Sequence, residues 1–139
     1  MNYKFKIGDI VYSSEDSLSQ RVFIIFDRRS FSGHAQYYTC SSWIDEKYFM
    51  TKEEYIKTLS KFSIGQDVIV SLSVTRNTNC ERTKQMEGVK YQVQNIDVNA
   101  IGDIYCFIGE LWLKQDELEE YIDFKNVTNK EVLDILEGL

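Results

Sequence analysis

Lys4-Phe5-Lys6-Ile7-Gly8, near the start of the chain, returns as Lys61-Phe62-Ser63-Ile64-Gly65, and each stretch reaches a valine three residues past its glycine, Val11 and Val68. Self-similarity at such a spacing marks repeat architecture. The stretches predict two small units of one kind rather than one large enzyme domain. The match continues in order. The apolar run Val22-Phe23-Ile24-Ile25-Phe26 answers to Val89-Lys90-Tyr91-Gln92-Val93 with Ile96, and Tyr38-Thr39-Cys40 answers to Tyr105-Cys106-Phe107. Phe49 to Tyr55 answers to Trp112 to Leu118, each an aromatic followed by a polar, acidic run. The second copy is longer, and its surplus falls near Thr75 to Gly88.

Periodicity places the elements. Phe5–Tyr12, Arg21–Phe26, Gln36–Trp43 and Tyr48–Met50 read as strands, with the second continuously apolar from Val22 to Phe26 and so buried on both faces. Asp27 to Gly33 reads as a turn carrying an exposed arginine pair. Thr51-Lys52-Glu53-Glu54 has capping-box spacing and predicts a helix over Lys52–Leu59, with Tyr55, Ile56 and Leu59 inward. In the second copy Asp67–Val74, Val89–Val98, Ile104–Ile108 and Glu110–Leu113 read as strands. Thr75–Gly88 reads as a polar loop and Gln115–Ile122 as a short helix. Thr128 opens another capping box, after which Val132, Ile135, Leu136 and Leu139 fall on one helical face. That stripe packs on the parent fold or forms a dimer or partner surface.

A glycine-led strand, further short strands and a closing helical turn within about 55 residues suggest a small barrel, a size at the margin of independent stability. Phe5-Lys6-Ile7-Gly8-Asp9-Ile10-Val11 resembles the F-x-x-G-D-x-V opening of bacterial and phage SH3-like modules. Tyr38 to Trp43 and Phe49 to Tyr55 are similar to YodC-like small barrels, in which a cysteine and tryptophan precede an aromatic and a final helical turn. The resemblance is looser in the second copy, where Gln66-Asp67 replaces Gly-Asp. It implies a mainly β fold: two tandem SH3-like barrels, residues 1–60 and 61–123, then a C-terminal amphipathic helix, 124–139. It carries no catalytic residue across, since small barrels host unrelated roles.

Composition narrows the function. Apolar residues make up 43% of the chain and aromatics 14%, enough for a folded core. No apolar run approaches the ~20 residues that cross a bilayer. No basic-then-apolar leader opens the chain, so the expectation is a cytosolic protein with no membrane partner. The absence of proline and the abundance of Ile, Lys, Tyr and Asn suggest an AT-rich coding sequence, bacterial or phage. The net charge is −6, yet residues 1–60 balance eight bases against eight acids while residues 111–139 hold three against eight. A general basic footprint for nucleic acid is absent. Cys40, Cys80 and Cys106 are odd in number and lack metal spacing. Cys40, two residues after Tyr38, and Cys106, directly after Tyr105, read as buried core positions.

No nucleophile-elbow, phosphate-loop, dinucleotide or two-histidine zinc motif occurs. His34, the only histidine, reads as an exposed loop residue beside Gly33. The expectation is a protein with no catalytic residue, cofactor or metal, binding a macromolecular partner, protein in the first instance. The candidate contact residues are Arg28, Arg29, Phe31, Tyr37 and Trp43 in the first copy and Arg76, Arg82 and Lys84 in the second. Stacking aromatics beside arginines also suit single-stranded nucleic acid or RNA. A third reading uses Asp116, Glu117, Glu119, Glu120 and Asp123 as an acidic surface that occupies a nuclease's nucleic-acid cleft, as small acidic phage inhibitors do. A homodimer through the C-terminal helix completes the expected partners.

Overall fold

The computed structural model describes residues 1–122 of the 139. The predicted C-terminal helix and Asp123 lie outside the described residues. The chain is mainly β with short helices. In order it forms β1 (Ile10–Tyr12), β2 (Val22–Ile24), β3 (Asp27–Phe31), β4 (His34–Tyr38), β5 (Trp43–Asp45), α1 (Lys52–Leu59) and β6 (Asp67–Val70). It continues with α2 (Leu72–Asn77), α3 (Glu81–Lys84), β7 (Tyr91–Gln92), β8 (Asn95–Val98), β9 (Ile104–Ile108), β10 (Leu111–Lys114) and β11 (Leu118–Glu120). Single 3-10 turns, Glu46–Tyr48 and Gln115–Glu117, follow β5 and β10. The strands form small antiparallel sheets ordered β1-β2, β3-β4-β5, β11-β6-β7 and β10-β9-β8, and do not close into a barrel. No helix among the described residues is long and apolar enough to cross a membrane.

The chain divides into two compact units. One comprises Met1–Gln66 and Gln92–Asp116; the other comprises Asp67–Tyr91 and the described residues from Glu117 on. The core of the first unit is Phe5, Val11, Phe23, Ile25, Tyr37, Ile44 and Phe49. Tyr37 is its centre, with edge-on rings of Phe5 at 5.6 Å, Phe49 at 6.2 Å and Tyr3 at 6.2 Å. Its hydroxyl donates to Glu46 and accepts from the Phe5 amide at 3.2 Å. Burial, reinforced by Glu46, pushes its pKa up to about 12. Tyr12, Tyr55 and Ile104 form a smaller cluster, where the Tyr55 hydroxyl donates to the Gly102 carbonyl at 2.7 Å. In the second unit Val68, Val70, Met86 and Leu118 are buried.

The predicted helix over Lys52–Leu59 forms, with its box closed both ways. Thr51 Oγ1 accepts from the Glu54 amide at 3.2 Å, and Glu54 Oε1 accepts from the Thr51 amide at 3.1 Å. Tyr55 turns inward while Leu59 stays exposed, which corrects the expected inner face. Glu54 also holds Lys4 Nζ at 2.7 Å. The Lys4 ammonium first, and then the Thr51 cap, draw its carboxyl down from 4.5 to about 2. A carboxyl whose folded pKa is depressed contributes stability that is complete above its unfolded pKa and is lost as pH falls through its folded pKa. Glu54→Gln keeps a side chain that caps and removes the charge. Its melting temperature is expected below wild type at pH 7, with the gap closing as pH falls from about 4.5 towards about 2 in thermal scans. A gap that persists unchanged at pH 2 would contradict this.

Several elements differ from expectation for local reasons. Asp27–Gly33 is not a turn: β3 runs through both arginines, and the reversal is confined to Ser32-Gly33, both at positive φ (52° and 81°). Two residues of that kind make the tight hairpin turn that matches strand twist. Arg21–Phe26 is not buried on both faces, because Ile24 and Phe26 stand exposed while Phe23 and Ile25 point inward. Thr75–Gly88 is helical over much of its length, in α2 and α3. Gln115–Ile122 is a 3-10 turn followed by β11 rather than a helix. Cys40 is exposed at φ 82° in the β4–β5 turn, whereas Cys106 is buried in β9, so the two cysteines are not equivalent.

Hydrogen bonds around the two opening stretches recur position for position. Gly8 and Gly65, at φ 94° and 89°, donate to Ile25 O at 2.8 Å and Val93 O at 2.7 Å. The Lys6 amide donates to Asp9 Oδ2 at 2.9 Å, and the Ser63 amide to Gln66 Oε1 at 3.0 Å. The Lys4 amide reaches Glu46 Oε2 at 3.0 Å and the Lys61 amide reaches Gln115 Oε1 at 2.9 Å, each at the head of a 3-10 turn. Phe26 donates to Tyr38 O and Gln94 to Phe107 O, both at 2.9 Å. This pairing matches Trp43 with Trp112, Tyr37 with Cys106, and Cys40 with Gly109, which is also at positive φ.

Candidate functional site

Side chains alternate across a strand, so the register assigns each residue a face. In β3-β4-β5 one face is core: Ala35, Tyr37 and Ile44 are buried. The other presents two cross-strand rows, Arg29–Gln36–Asp45 and Asp27–Tyr38–Trp43, with Phe31 beyond. Arg29 Nε donates to Gln36 Oε1 at 2.9 Å, and Gln36 Nε2 to Asp45 Oδ1 at 2.8 Å. The guanidinium thus fixed lies 4.3 Å from the Trp43 ring centre and 4.9 Å from that of Phe31. The Tyr38 and Trp43 rings lie 5.4 Å apart, tilted by 43°. Cation–π contacts of this kind are worth about 0.5–1 kcal/mol each at an exposed site.

The β8-β9-β10 sheet repeats the plan. Cys106 and Leu113 face the core, while the outer rows are Asp97–Tyr105–Lys114 and Asn95–Phe107–Trp112. The Phe107 and Trp112 rings lie 5.1 Å apart, tilted by 39°, and Trp112 remains 43% exposed. The charged row is reversed: Asp97 stands where the first sheet has Arg29, and Lys114 where it has Asp45. Asp97 Oδ1 takes Lys52 Nζ at 2.6 Å and the Val98 amide at 2.8 Å. Lys52 holds the Asp97 carboxyl below its ordinary range, and Asp97 raises Lys52 in return. A depression of about 220 Å³ lies against Asp97, Val98, Asn99, Tyr105 and Trp112.

The sequence-predicted residues separate into groups. Arg29, Phe31 and Trp43 come together on the outer face of β3-β4-β5. Phe31 is 54% exposed. Arg28 lies apart, over the Tyr3 ring at 4.7 Å. Tyr37 is fully buried, so its ring belongs to the core rather than to a contact surface. In the second unit Arg76 pairs with Glu87 at 2.7 Å and Lys84 with Glu81 at 3.3 Å, on α2 and α3; Arg82 is exposed on α3. Asp116 is tied to Lys61 at 2.6 Å. Glu119 and Glu120 are successive residues of β11, which project to opposite sides of a strand. Glu117 sits in the 3-10 turn before them.

The sequence reading missed Trp112 and Phe107. Pairing Trp112 with Phe49 hides the match, whereas counting back from the 3-10 turns reveals it: Trp43 precedes Glu46 by three residues and Trp112 precedes Gln115 by three.

An open groove of about 650 Å³ runs past Lys4, His34, Asp45, Glu46, Lys47 and Glu54. Glu46, Glu54 and Asp45 are each engaged in the bonds given above, and His34 is exposed at the start of β4. No group of three or more potential ligands could hold a metal ion among the described residues. Cys80, exposed before α3, has its thiol pKa lowered by Thr83; burial raises that of Cys106. No protein-family model, curated protein or solved structure matches this chain.

Proposed function

We propose that the chain is a non-catalytic binding protein that engages a protein partner through its two outward aromatic faces. The observation that carries this reading is the repeated aromatic pair: Tyr38 with Trp43 and Phe107 with Trp112 hold the same place in two sheets. A core does not require a tryptophan on the outer face, and the chain places one there twice. Trp, Tyr and Arg are the side chains that dominate protein interfaces.

The scaffold in this reading is an SH3-like unit, duplicated, in a cytoplasmic protein. Duplication is supported by the recurring hydrogen bonds around Gly8 and Gly65. The SH3-like path is supported by the order of strand, loop, hairpin and 3-10 turn, and by the bridge from Met50 back to Tyr12. The YodC-like resemblance, resting on Phe5 to Val11, concerns the fold alone.

Nucleic acid fits less well. Arg29 is committed to Gln36, Phe31 and Trp43, Asp27 and Asp45 share its face, and the chain carries −6 overall. Phosphate binding rests on several cations acting together, whereas this face sets Arg29 beside the carboxylates of Asp27 and Asp45. The acidic-inhibitor reading is weakened because Asp116 is paired with Lys61, and Glu119 and Glu120 do not share a face.

Trp43→Ala and Trp112→Ala, tested singly, are expected to reduce partner capture from source-cell extract at least about tenfold, the size of a hot-spot loss. Labelled oligonucleotides are expected to show no mobility shift at micromolar protein. Undiminished capture, or a salt-sensitive shift abolished by R28A/R29A, would overturn the proposal.

A further inference from the structure

We infer that the Trp112 face binds an arginine side chain of the partner protein, with Asp97 as the counter-ion. The inference rests on the binding reading above and names what one face recognises.

The two faces differ at the position beside the tryptophan. In β3-β4-β5 a guanidinium already covers the tryptophan, 4.3 Å from its ring centre. That face displays the occupied state. In β8-β9-β10 the equivalent strand position is Asp97, and the tryptophan is left 43% exposed beside a depression of about 220 Å³. Here a carboxylate paired with Lys52 stands at the strand position of Arg29, and the aromatic pair is retained. Trp112 and Tyr105 supply ring faces that attract a cation. Asp97 supplies a carboxylate, whose Oδ1 takes Lys52 Nζ and the Val98 amide. The Asp97 side chain is 46% accessible, so an incoming group reaches it. Stacking on a ring while bonding a carboxylate is guanidinium chemistry, because its planar fork does both at once.

The test follows the two indole N–H resonances by NMR while N-acetyl-arginine amide is titrated to tens of millimolar. The Trp112 signal is expected to move saturably and the Trp43 signal to stay, because Arg29 covers it. The neutral isostere N-acetyl-citrulline amide is expected to move neither. Asp97→Asn is expected to weaken the arginine response about five- to tenfold. Arg29→Ala, which leaves Lys52 and Asp97 paired, is expected to make Trp43 responsive as well. Equal responses to arginine and citrulline, or equal responses of Trp43 and Trp112 in the wild type, would overturn the inference. Partner capture separates the two levels. If Trp112→Ala loses the partner and Asp97→Asn retains it fully, the face binds without reading arginine and this inference falls alone. If both tryptophan variants retain it, the binding proposal falls.

Discussion

Tyr37→Ala is expected to unfold much of the first unit at room temperature. Removing a fully buried aromatic costs about 3–5 kcal/mol, a large share of the roughly 5–15 kcal/mol that holds a domain folded. Here the loss is compounded. The ring is the shared neighbour of Tyr3, Phe5 and Phe49, and its hydroxyl is the partner of both Glu46 and the Phe5 amide. Tyr37→Phe separates the two contributions. It keeps the packing and leaves those polar groups short of a partner, at a cost of about 1–3 kcal/mol. Urea titration followed by far-UV circular dichroism should rank wild type, then Phe, then Ala. An Ala variant as stable as the Phe variant would mean that the ring is not the centre of this core.

Gly102→Ala is the second large effect. Gly102 sits at φ 96°, and a Cβ there would lie 2.4 Å from Arg21 Cβ. The obstacle is the root of a side chain, not its flexible end, so backbone must move. That backbone carries the carbonyl that accepts from Tyr55, the buried residue of α1. Strain and overpacking together are expected to cost about 2–5 kcal/mol. Gly33→Ala is the control. Its φ is 81°, but nothing lies within 4 Å of a Cβ there, so it meets backbone strain alone. Chemical denaturation should show Gly102→Ala clearly below Gly33→Ala; equal losses would remove the packing argument.

What the sequence disclosed, it disclosed through strong local chemistry. The capping box at Thr51 to Glu54 needs only four residues, and α1 formed over the range it predicts. Ile104–Ile108 is a short run rich in β-branched and aromatic residues, and it is β9. The errors arose where local signals compete. Asp27-Arg28-Arg29-Ser30 is polar enough to read as a turn, yet only Ser32 and Gly33 adopt the positive φ that a two-residue reversal demands. Gln115 to Ile122 is acidic and helix-like in composition, but Leu118, Glu119 and Glu120 pair with Val70, Ile69 and Val68, and this ladder overrides propensity. The candidate site was half legible. Arg29, Phe31 and Trp43 were named from residue type alone, whereas Trp112 required the register that equates it with Trp43. Tyr37 was misplaced for a related reason: aromatics on one short strand alternate between core and solvent, and composition does not say which is which.

The proposed binding surface is the two outward tryptophan pairs, Tyr38 with Trp43 and Phe107 with Trp112. The most direct measurement is partner capture by the double variant W43A/W112A beside wild type, with circular dichroism spectra and melting temperatures matched to exclude misfolding. The account predicts a folded protein that retains essentially none of the partner held by wild type. A folded double variant that captures as much partner as wild type would contradict it.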